Sequence, residues 1–178
     1  MSVPLEIIKM KDPDGETRFK AIVSFQDGIA HTSESQKLIK IQNDYSELAI
    51  SSQKSLKEIW SNRKRMADSH LQWKLANSIY TFIKRVEKDG YAFANVTEAL
   101  ARDVGMSKSQ LCYLIRFRTY YPTIDQVSKD INWSKYREIL DIRSSRTRRI
   151  CEEKILAGEI KTDQDLRDFK RGFRKTSG

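Results

Sequence analysis

The hydrophobic positions of the chain follow strand-like patterns near the N-terminus and helix-like patterns from about residue 34 onward. The segments VPLEIIKM (3–10) and RFKAIVSF (18–25) are rich in β-branched and aromatic residues, and a Pro-Asp-Gly turn signal lies between them. Two such segments around a turn signal predict a β-hairpin. An isolated hairpin is only marginally stable in water, so we expect this one to pack on the rest of the protein or on a second copy.

Residues 34–66 contain neither Gly nor Pro and carry a heptad pattern. The heptad positions are Leu38, Ile41, Tyr45, Leu48, Ser52, Ser55 and Ile59. This pattern predicts one long amphipathic helix, either continuous or broken near Ser51–Ser52, whose apolar face needs a partner surface. A dimerising coiled coil and packing against the C-terminal half of the chain both satisfy that need.

A second amphipathic helix is predicted after Asp68-Ser69, a pair that suits a helix N-cap. Its apolar positions are Leu71, Leu75, Ile79, Phe82, Ile83 and Val86. The helix is expected to end at Gly90, because glycine suits the left-handed residue that follows a helix. The neighbouring aromatic residues Trp73 and Tyr80 are expected to pack in the core.

Residues 96–118, VTEALARDVGMSKSQLCYLIRFR, have the spacing of a helix-turn-helix. In this motif Thr97 caps a short first helix, and the small side chain of Ala101 allows the two helices to cross closely. Gly105 follows four residues after Ala101 and supplies the positive φ that a tight turn requires. The sequence therefore predicts two short helices joined at Gly105.

The second helix of the motif is predicted to begin at its cap, Ser107, and to be anchored to the domain by Leu111 and Leu114. The residues left facing outward are Lys108, Ser109, Cys112, Tyr113 and Arg116. A helix-turn-helix places the N-terminal part of its second helix in the major groove, so Lys108 and Ser109 are expected nearest the base edges.

The candidate DNA-binding residues form two sets. The first set lies on the motif and consists of Thr97, Ser107, Lys108, Ser109, Gln110, Tyr113, Arg116 and Arg118. The second set is Arg146, Arg148 and Arg149, which follow a predicted helix cap at Ser144 or Ser145. Arginines beside a capped helix start suit phosphate binding. The alternative is a solvated helix face balanced by Glu152 and Glu153.

The positive charge of the chain is distributed unevenly. The 178 residues include 33 Lys and Arg against 24 Asp and Glu, a net charge of +9. Residues 1–60 hold eight basic and nine acidic residues, which leaves 25 and 15 for residues 61–178, a net of +10. This asymmetry favours a nucleic-acid partner for the C-terminal two thirds over a uniformly solvated surface.

The sequence offers little material for catalysis. Its two histidines, His31 and His70, and two cysteines, Cys112 and Cys151, do not have the spacing of a zinc site or a disulfide framework. It contains neither a Walker loop nor a G-x-G-x-x-G motif. We therefore expect no enzymatic activity, no cofactor and no metal.

The sequence also predicts where the protein acts. No apolar run approaches the ~18 residues that a membrane span requires, and the N-terminus shows no secretory signal. We therefore expect a cytoplasmic protein with free thiols and no membrane partner.

The segment LARDVGMSKSQLCYLIRF (100–117) resembles the helix-turn-helix of the ParB/KorB group of plasmid and chromosome partition proteins. The likeness continues over residues 133–169 and covers roughly residues 95–170. It implies site-specific DNA binding as a homodimer, with Lys108, Ser109 and Tyr113 at recognition positions and a ParA-like ATPase as a candidate partner. The nucleotide-binding domain of the chromosomal members has no counterpart in residues 1–90, so neither CTP binding nor sliding-clamp behaviour is carried over.

A second resemblance covers more of the chain. The segments LQWKLANSIYTFI (71–83), RFRTYYP (116–122) and INWSKYREIL (131–140), together with the helix-turn-helix, are similar to the N-terminal helical domain of uncharacterised bacterial PD-(D/E)xK nuclease-like proteins. The nuclease half would have to follow residue 170. This resemblance implies a DNA-binding or partner-binding module without a catalytic domain.

These observations predict a mainly α protein in three parts. Residues 1–67 form a β-hairpin and a long helix that serve as a dimerisation or partner arm. Residues 68–170 form a helical DNA-binding domain, and residues 171–178 form a basic tail. The predicted function is site-specific binding of double-stranded DNA in plasmid or chromosome partition or in transcription regulation, with nucleoid or plasmid association. The alternative is a non-catalytic interaction module of a larger nucleoprotein or nuclease/defence complex.

Overall fold

The computed structural model describes residues 3–11, 17–23, 32–62, 64, 68–93 and 96–176. The strands are β1 (Val3–Lys11), β2 (Thr17–Val23) and β3 (Tyr91–Phe93). The helices are α1 (Thr32–Trp60), α2 (Ser69–Lys88), α3 (Val96–Val104), α4 (Lys108–Tyr120), α5 (Trp133–Ile139), α6 (Ser145–Leu156) and α7 (Asp163–Thr176), and a 3-10 helix covers Ile124–Gln126. The prediction of a mainly helical protein with an N-terminal β-hairpin is confirmed.

The hairpin belongs to a three-stranded sheet with the order β2-β1-β3. β1 and β2 are antiparallel, with Leu5 opposite Val23 and Lys11 opposite Thr17. β3 pairs with β1 in parallel, with Val3 opposite Tyr91. The sequence did not predict β3, because a segment of three residues is too short to show the two-residue period of a strand.

Residues of the chain pack into two compact units. The first unit comprises Met1–Lys57 and Asn77–Cys112, and the second comprises Glu58–Ala76 and Tyr113–Gly178. α1, α2 and α4 each contribute residues to both units. The domain boundaries at residues 67 and 170 do not coincide with the limits of these units and stay predictions. The predicted basic tail overlaps the end of α7, which continues to Thr176.

The core of the first unit forms around Tyr45, whose side chain is completely buried. Its ring packs edge-on against Phe19 of β2, at 5.0 Å between centroids, and against Phe82 of α2, at 5.7 Å. Ile41, Leu48 and Ser52 are also buried, and α1 is continuous through Ser51–Ser52. The heptad face of α1 therefore packs on the hairpin strand and on α2 within the same unit.

The core of the second unit is built on aromatic rings. Phe117 of α4 is completely buried and lies 5.1 Å from Trp133 and 5.0 Å from Tyr136, measured between ring centroids. Tyr121 packs against both Phe117 and Tyr136. The indole N–H of Trp73 donates to the backbone carbonyl of Tyr121 at 2.7 Å. These contacts give α4 a fixed position in the second unit.

Candidate nucleic-acid interface

The turn after α3 depends on the backbone conformation of Gly105. This residue has φ +84°, a left-handed conformation that costs an L residue about 1–2 kcal/mol. The N–H groups of Gly105 and Met106 both donate to the carbonyl of Ala101, at 3.0 and 2.9 Å. A Cβ added at Gly105 would have no atom within 4 Å, so the requirement for glycine is conformational rather than steric. The predicted role of Gly105 is confirmed.

α4 begins with a reciprocal cap between Ser107 and Gln110. The Ser107 hydroxyl accepts from the N–H of Gln110 at 3.2 Å, and Gln110 Oε1 accepts from the N–H of Ser107 at 2.9 Å. This is a capping box, which satisfies two backbone donors at a helix start. The predicted cap at Ser107 is confirmed. Gln110 is held at the helix start by the same interaction, and its contact with DNA stays a prediction.

The apolar side chains of α3 and α4 are buried as predicted. The buried apolar residues of the two helices and the turn are Leu100, Ala101, Val104, Met106, Leu111, Leu114 and Phe117. Ser107, Lys108 and Ser109 are exposed. The start of α4 therefore presents a hydroxyl, an ammonium and a second hydroxyl to solvent, while the residues that follow anchor the helix.

Lys108 is held by an acidic residue of α3. Its ammonium group forms an ion pair with Glu98, whose carboxylate also accepts from the Thr97 hydroxyl at 2.9 Å. The ion pair raises the pKa of Lys108 and lowers the pKa of Glu98. Both side chains are exposed, so the pair is weak and open to competition by a polyanion. Thr97 lies inside α3, which begins at Val96, so the expected cap at Thr97 is wrong.

α3 also carries a buried carboxylate that joins it to α1. Asp103 is 0% exposed, and its Oδ2 accepts from the Tyr45 hydroxyl at 2.7 Å. Arg102 donates to both carboxylate oxygens, from Nε at 2.8 Å and from Nη2 at 3.2 Å. Gln53 of α1 donates to the Asp103 backbone carbonyl at 2.6 Å. The position of α3 is therefore set by polar contacts as well as apolar packing.

Tyr113 and Arg116 form part of a charged network in the second unit. The Tyr113 hydroxyl and the Arg116 guanidinium both donate to Asp141 Oδ1 at 3.3 Å. The guanidinium groups of Arg116 and Arg137 lie 5.6 and 5.3 Å from the centroid of the Tyr113 ring. Tyr113 is only partly exposed. A base contact by Tyr113 therefore competes with existing contacts and stays a prediction.

The remaining arginines of the candidate set differ in exposure. Arg118 stacks on the Trp73 ring, at 5.4 Å from its centroid. Arg146 and Arg149 of α6 are exposed, whereas Arg148 is only 8% exposed. Of the two predicted caps of α6, Ser144 and Ser145, the structure has Ser144, whose hydroxyl accepts from the Thr147 N–H at 3.2 Å.

Arg148 acts as a structural tether. Its Nη1 donates to the carbonyls of Ile142 and Arg143, at 2.9 and 2.8 Å. Its guanidinium lies 3.8 Å from the centroid of the Tyr120 ring. These contacts fix the loop before α6 to α4, a role that charge patterning alone did not reveal.

The structure divides the candidate residues between the units. Thr97, Ser107, Lys108, Ser109 and Gln110 belong to the first unit, and Tyr113, Arg116, Arg118, Arg146, Arg148 and Arg149 belong to the second. Sequence reasoning missed the acidic partners Glu98 and Asp141. Glu98 has no local sequence signal, because it lies ten residues from Lys108 across the turn.

His70 and Cys151 contribute to the interior of the second unit, and Cys112 is a free, partly exposed thiol. His70 Nε2 lies 2.7 Å from the carbonyl of Val127. Cys151 is buried, and burial raises the pKa of its thiol to about 11. Within the described ranges, no group of three or more His, Cys, Asp and Glu residues could hold a metal ion.

Comparisons with models of protein families, with curated proteins and with solved structures found no match to the chain. None of the helices in the described part of the chain combines the length and apolar character that crossing a membrane demands. The likeness to ParB/KorB proteins accordingly stays a prediction.

Proposed function

We propose that the chain is a site-specific double-stranded DNA-binding protein of the ParB/KorB type, with α3, the turn at Gly105 and α4 as its helix-turn-helix. The observation that carries the proposal is the start of α4. A left-handed glycine and a capping box fix this helix start, which exposes Lys108 and Ser109. Such a helix start is the part of a recognition helix that enters the major groove.

In this proposal Lys108 and Ser109 read base edges. A Lys ammonium can donate to the O6 and N7 acceptors of guanine, and a Ser hydroxyl can donate or accept. Arg146 and Arg149 of α6 add phosphate contacts that carry no sequence information. The net charge of +10 in residues 61–178 supports a polyanionic partner for these groups.

The test is enrichment of bound sequences from random duplex DNA, followed by titration of the enriched duplex. Lys108→Ala should relax discrimination at one base pair by about 1–3 kcal/mol. Arg149→Ala should weaken binding to all duplexes and reduce the salt slope by about 0.9. Lys54→Ala, which removes an exposed lysine of α1, serves as the control and should change neither quantity. Failure of the unaltered protein to bind any duplex at low salt would overturn the proposal.

The ion pair between Lys108 and Glu98 provides a sharper version of this test. Glu98→Gln releases the Lys108 ammonium and should tighten binding to the enriched duplex. In the Lys108→Ala background the same substitution should have a smaller effect, because only long-range repulsion of phosphate by Glu98 remains. Equal effects in the two backgrounds would show that Lys108 does not contact DNA.

The proposal includes action as a homodimer in plasmid or chromosome partition or in transcription regulation, associated with the nucleoid or a plasmid. A palindromic consensus in the enriched sequences would support the dimer, since two-fold operators mirror two-fold proteins. A ParA-like ATPase encoded beside this protein would favour partition over repression.

A second candidate function is a helical interaction module of a larger nucleoprotein or nuclease/defence complex. It is favoured by two exposed apolar side chains of α1, Ile39 at 57% and Ile50 at 65% exposure. These residues lie eleven positions apart, which places them close to one face of a helix. A stoichiometric protein partner that is lost on Ile39→Ser/Ile50→Ser, and retained after nuclease treatment, would support this function.

A further inference from the structure

An open depression of about 560 Å³ lies beside the start of α6 in the second unit. Its lining combines Arg146, Arg148 and Arg149 with Tyr120, Gln126 and Glu152. Small-molecule sites in proteins have volumes of about 300–1,000 Å³, so the depression has the size of such a site. It is much larger than a single phosphate group, so it has room for an organic body attached to a phosphate.

The depression is built around a fixed cation. Arg148 is only 8% exposed, and its side chain is held by two backbone carbonyls and by the face of the Tyr120 ring. All three contacts are electrically neutral, so they position the guanidinium without cancelling its charge. A cation fixed in this way needs no reordering when an anion binds, which lowers the entropic cost of binding.

The charges of the lining indicate a doubly charged anion. Three guanidinium groups face one carboxylate, which leaves an excess of two positive charges. A phosphate monoester carries about −1.5 to −2 charges at pH 7 and offers three acceptor oxygens. Arginine binds such groups through paired hydrogen bonds. The phosphodiester of a duplex carries a single charge on a convex backbone, so it can contact the exposed side chains of Arg146 and Arg149 without filling this concave site.

Glu152 indicates what the rest of the ligand must be. Its carboxylate is partly buried and accepts from the Tyr121 hydroxyl, which fixes its position. A carboxylate beside an anion site favours a ligand that also carries hydroxyl or amino donors. The Gln126 amide adds two N–H donors to the lining, and its Oε1, which accepts from the Thr123 N–H at 3.3 Å, keeps a second lone pair for a further donor. A nucleoside has both donors and a body of suitable size.

We infer that this depression binds a nucleoside 5′-phosphate, either as a free nucleotide or as the 5′-phosphorylated end of a nucleic-acid strand. The phosphate lies against Arg146, Arg148 and Arg149, and the donors of the sugar or base bond to Glu152 and Gln126. The inference does not rest on duplex binding by α4, because the ligand occupies α6 and its neighbours in the second unit.

Calorimetric titration of the full chain with the four ribonucleoside 5′-monophosphates tests the inference. Inorganic phosphate, adenosine, and DNA trinucleotides with a 5′-phosphate or a 5′-hydroxyl serve as the comparison probes. We expect at least one monophosphate to bind at least about ten-fold more tightly than inorganic phosphate or adenosine, since hydrogen bonds to charged groups contribute at this level. A preference for the 5′-phosphorylated trinucleotide over the free nucleotides would identify the strand end as the source, and the reverse would identify the free nucleotide.

Matched variants distinguish binding in the depression from general attraction of an anion to a positively charged surface. Arg149→Ala should weaken monophosphate binding at least about ten-fold. Arg143→Ala removes an exposed arginine that precedes the cap residue Ser144 and lies outside the lining of the depression. This variant should bind the monophosphate with an affinity within two-fold of the unaltered protein. Equal losses in the two variants, or equal affinities for nucleotide, nucleoside and inorganic phosphate, would overturn the inference. Lys108→Ala should leave nucleotide binding unchanged, so failure of duplex binding and failure of this site are distinguishable.

Discussion

Among the residues that the structure describes, each of the two units buries one charged side chain, and the hydrogen-bonding partners of these two side chains differ in charge. In the first unit Asp103 accepts from the Tyr45 hydroxyl and from two nitrogens of Arg102. In the second unit Arg148 donates to two backbone carbonyls and stacks on Tyr120. Asp103 therefore has a cationic partner, whereas the bonded partners of Arg148 are neutral.

This difference separates a structural charge from a charge that is available to a ligand. The negative charge of Asp103 is balanced by Arg102, and the carboxylate is completely enclosed, so Asp103 can only position α3 against α1. The positive charge of Arg148 is fixed in place and lines an open depression. Burial alone does not distinguish the two side chains, since both are buried. The charge of their hydrogen-bonding partners does distinguish them.

The largest effect is expected from Asp103→Ala. The substitution removes the hydrogen bond between the Tyr45 hydroxyl and Asp103, removes the partner of Arg102 and leaves a cavity, so we expect the free energy of unfolding to fall by about 3 kcal/mol. Urea denaturation followed by circular dichroism measures this loss. Asp89→Ala, at an exposed carboxylate of the same unit, should change it by less than about 0.5 kcal/mol. Similar losses in the two variants would show that Asp103 does not organise the first unit.

Arg148→Met should have a smaller effect, a loss of about 2 kcal/mol in the free energy of unfolding. Methionine keeps most of the apolar volume against Tyr120 but leaves the carbonyls of Ile142 and Arg143 without their donor. Those carbonyls lie in a loop that water can reach more easily than the core, so the loss is expected to be less than at Asp103. Arg149→Met, on the exposed side of α6, is the matched control and should leave the free energy of unfolding nearly unchanged. Equal stability of the two variants would remove the structural role assigned to Arg148.

The parts of the structure that sequence predicted are those with local causes. Gly105 and Ser107 act on their own neighbours in the chain, so the turn and the cap were visible in the spacing of residue types. The hairpin was visible for the same reason. The S-x-x-Q pattern of the capping box was also present in the sequence, although Gln110 was interpreted as a DNA contact.

The parts that sequence did not predict depend on partners distant in the chain. β3 is a strand because it pairs with the edge of β1, a strand that lies more than eighty residues earlier in the chain. Asp103 has no predicted role, and Arg148 is predicted to bind phosphate together with Arg146 and Arg149. The burial of Asp103 and Arg148 is not predicted, because most charged residues are exposed. Tyr45 contacts Asp103 from 58 positions away in the chain, and Tyr120 contacts Arg148 from 28 positions away. Neither contact leaves a periodic pattern in the sequence. The sequence therefore predicts the arginines of α6 as one equivalent set, whereas in the structure Arg146 and Arg149 are exposed and Arg148 is buried.

Gly105→Ala tests whether local conformation or the Asp103 contacts hold α3 in place. We expect a loss of about 1–2 kcal/mol in the free energy of unfolding, because alanine must adopt φ near +84°. Gly172→Ala is a control of opposite sign, since Gly172 lies within α7 and alanine is favoured there by about 1 kcal/mol. A loss at Gly105 that exceeds the loss at Asp103 would reverse the order of importance proposed here for the first unit.

The smallest effect concerns the carboxylate beside Arg148. Burial raises the pKa of Glu152, and this outweighs the lowering by the Tyr121 hydroxyl and by Arg148 and Arg149. The folded state therefore binds the Glu152 proton more tightly than the unfolded state does. As the pH rises above the ordinary glutamate pKa of about 4.3 and through the higher folded pKa, the protein should lose stability relative to Glu152→Gln.

Asp165 provides the control of opposite sign in the same unit. Its carboxylate accepts from the N–H groups of Lys161 and Thr162, at 3.0 and 2.8 Å, and these bonds lower its pKa. The protein should therefore lose stability relative to Asp165→Asn as the pH falls below about 3.9 and through the folded pKa. Urea denaturation of the unaltered protein, Glu152→Gln and Asp165→Asn between pH 3 and pH 7 measures how the free energy of unfolding of each changes with pH. The difference from the unaltered protein gives one slope for Glu152 and one for Asp165. A Glu152 slope with the same sign as the Asp165 slope would mean that the arginines outweigh burial at Glu152. The depression would then hold less uncompensated positive charge for an anion than the neutral partners of Arg148 imply.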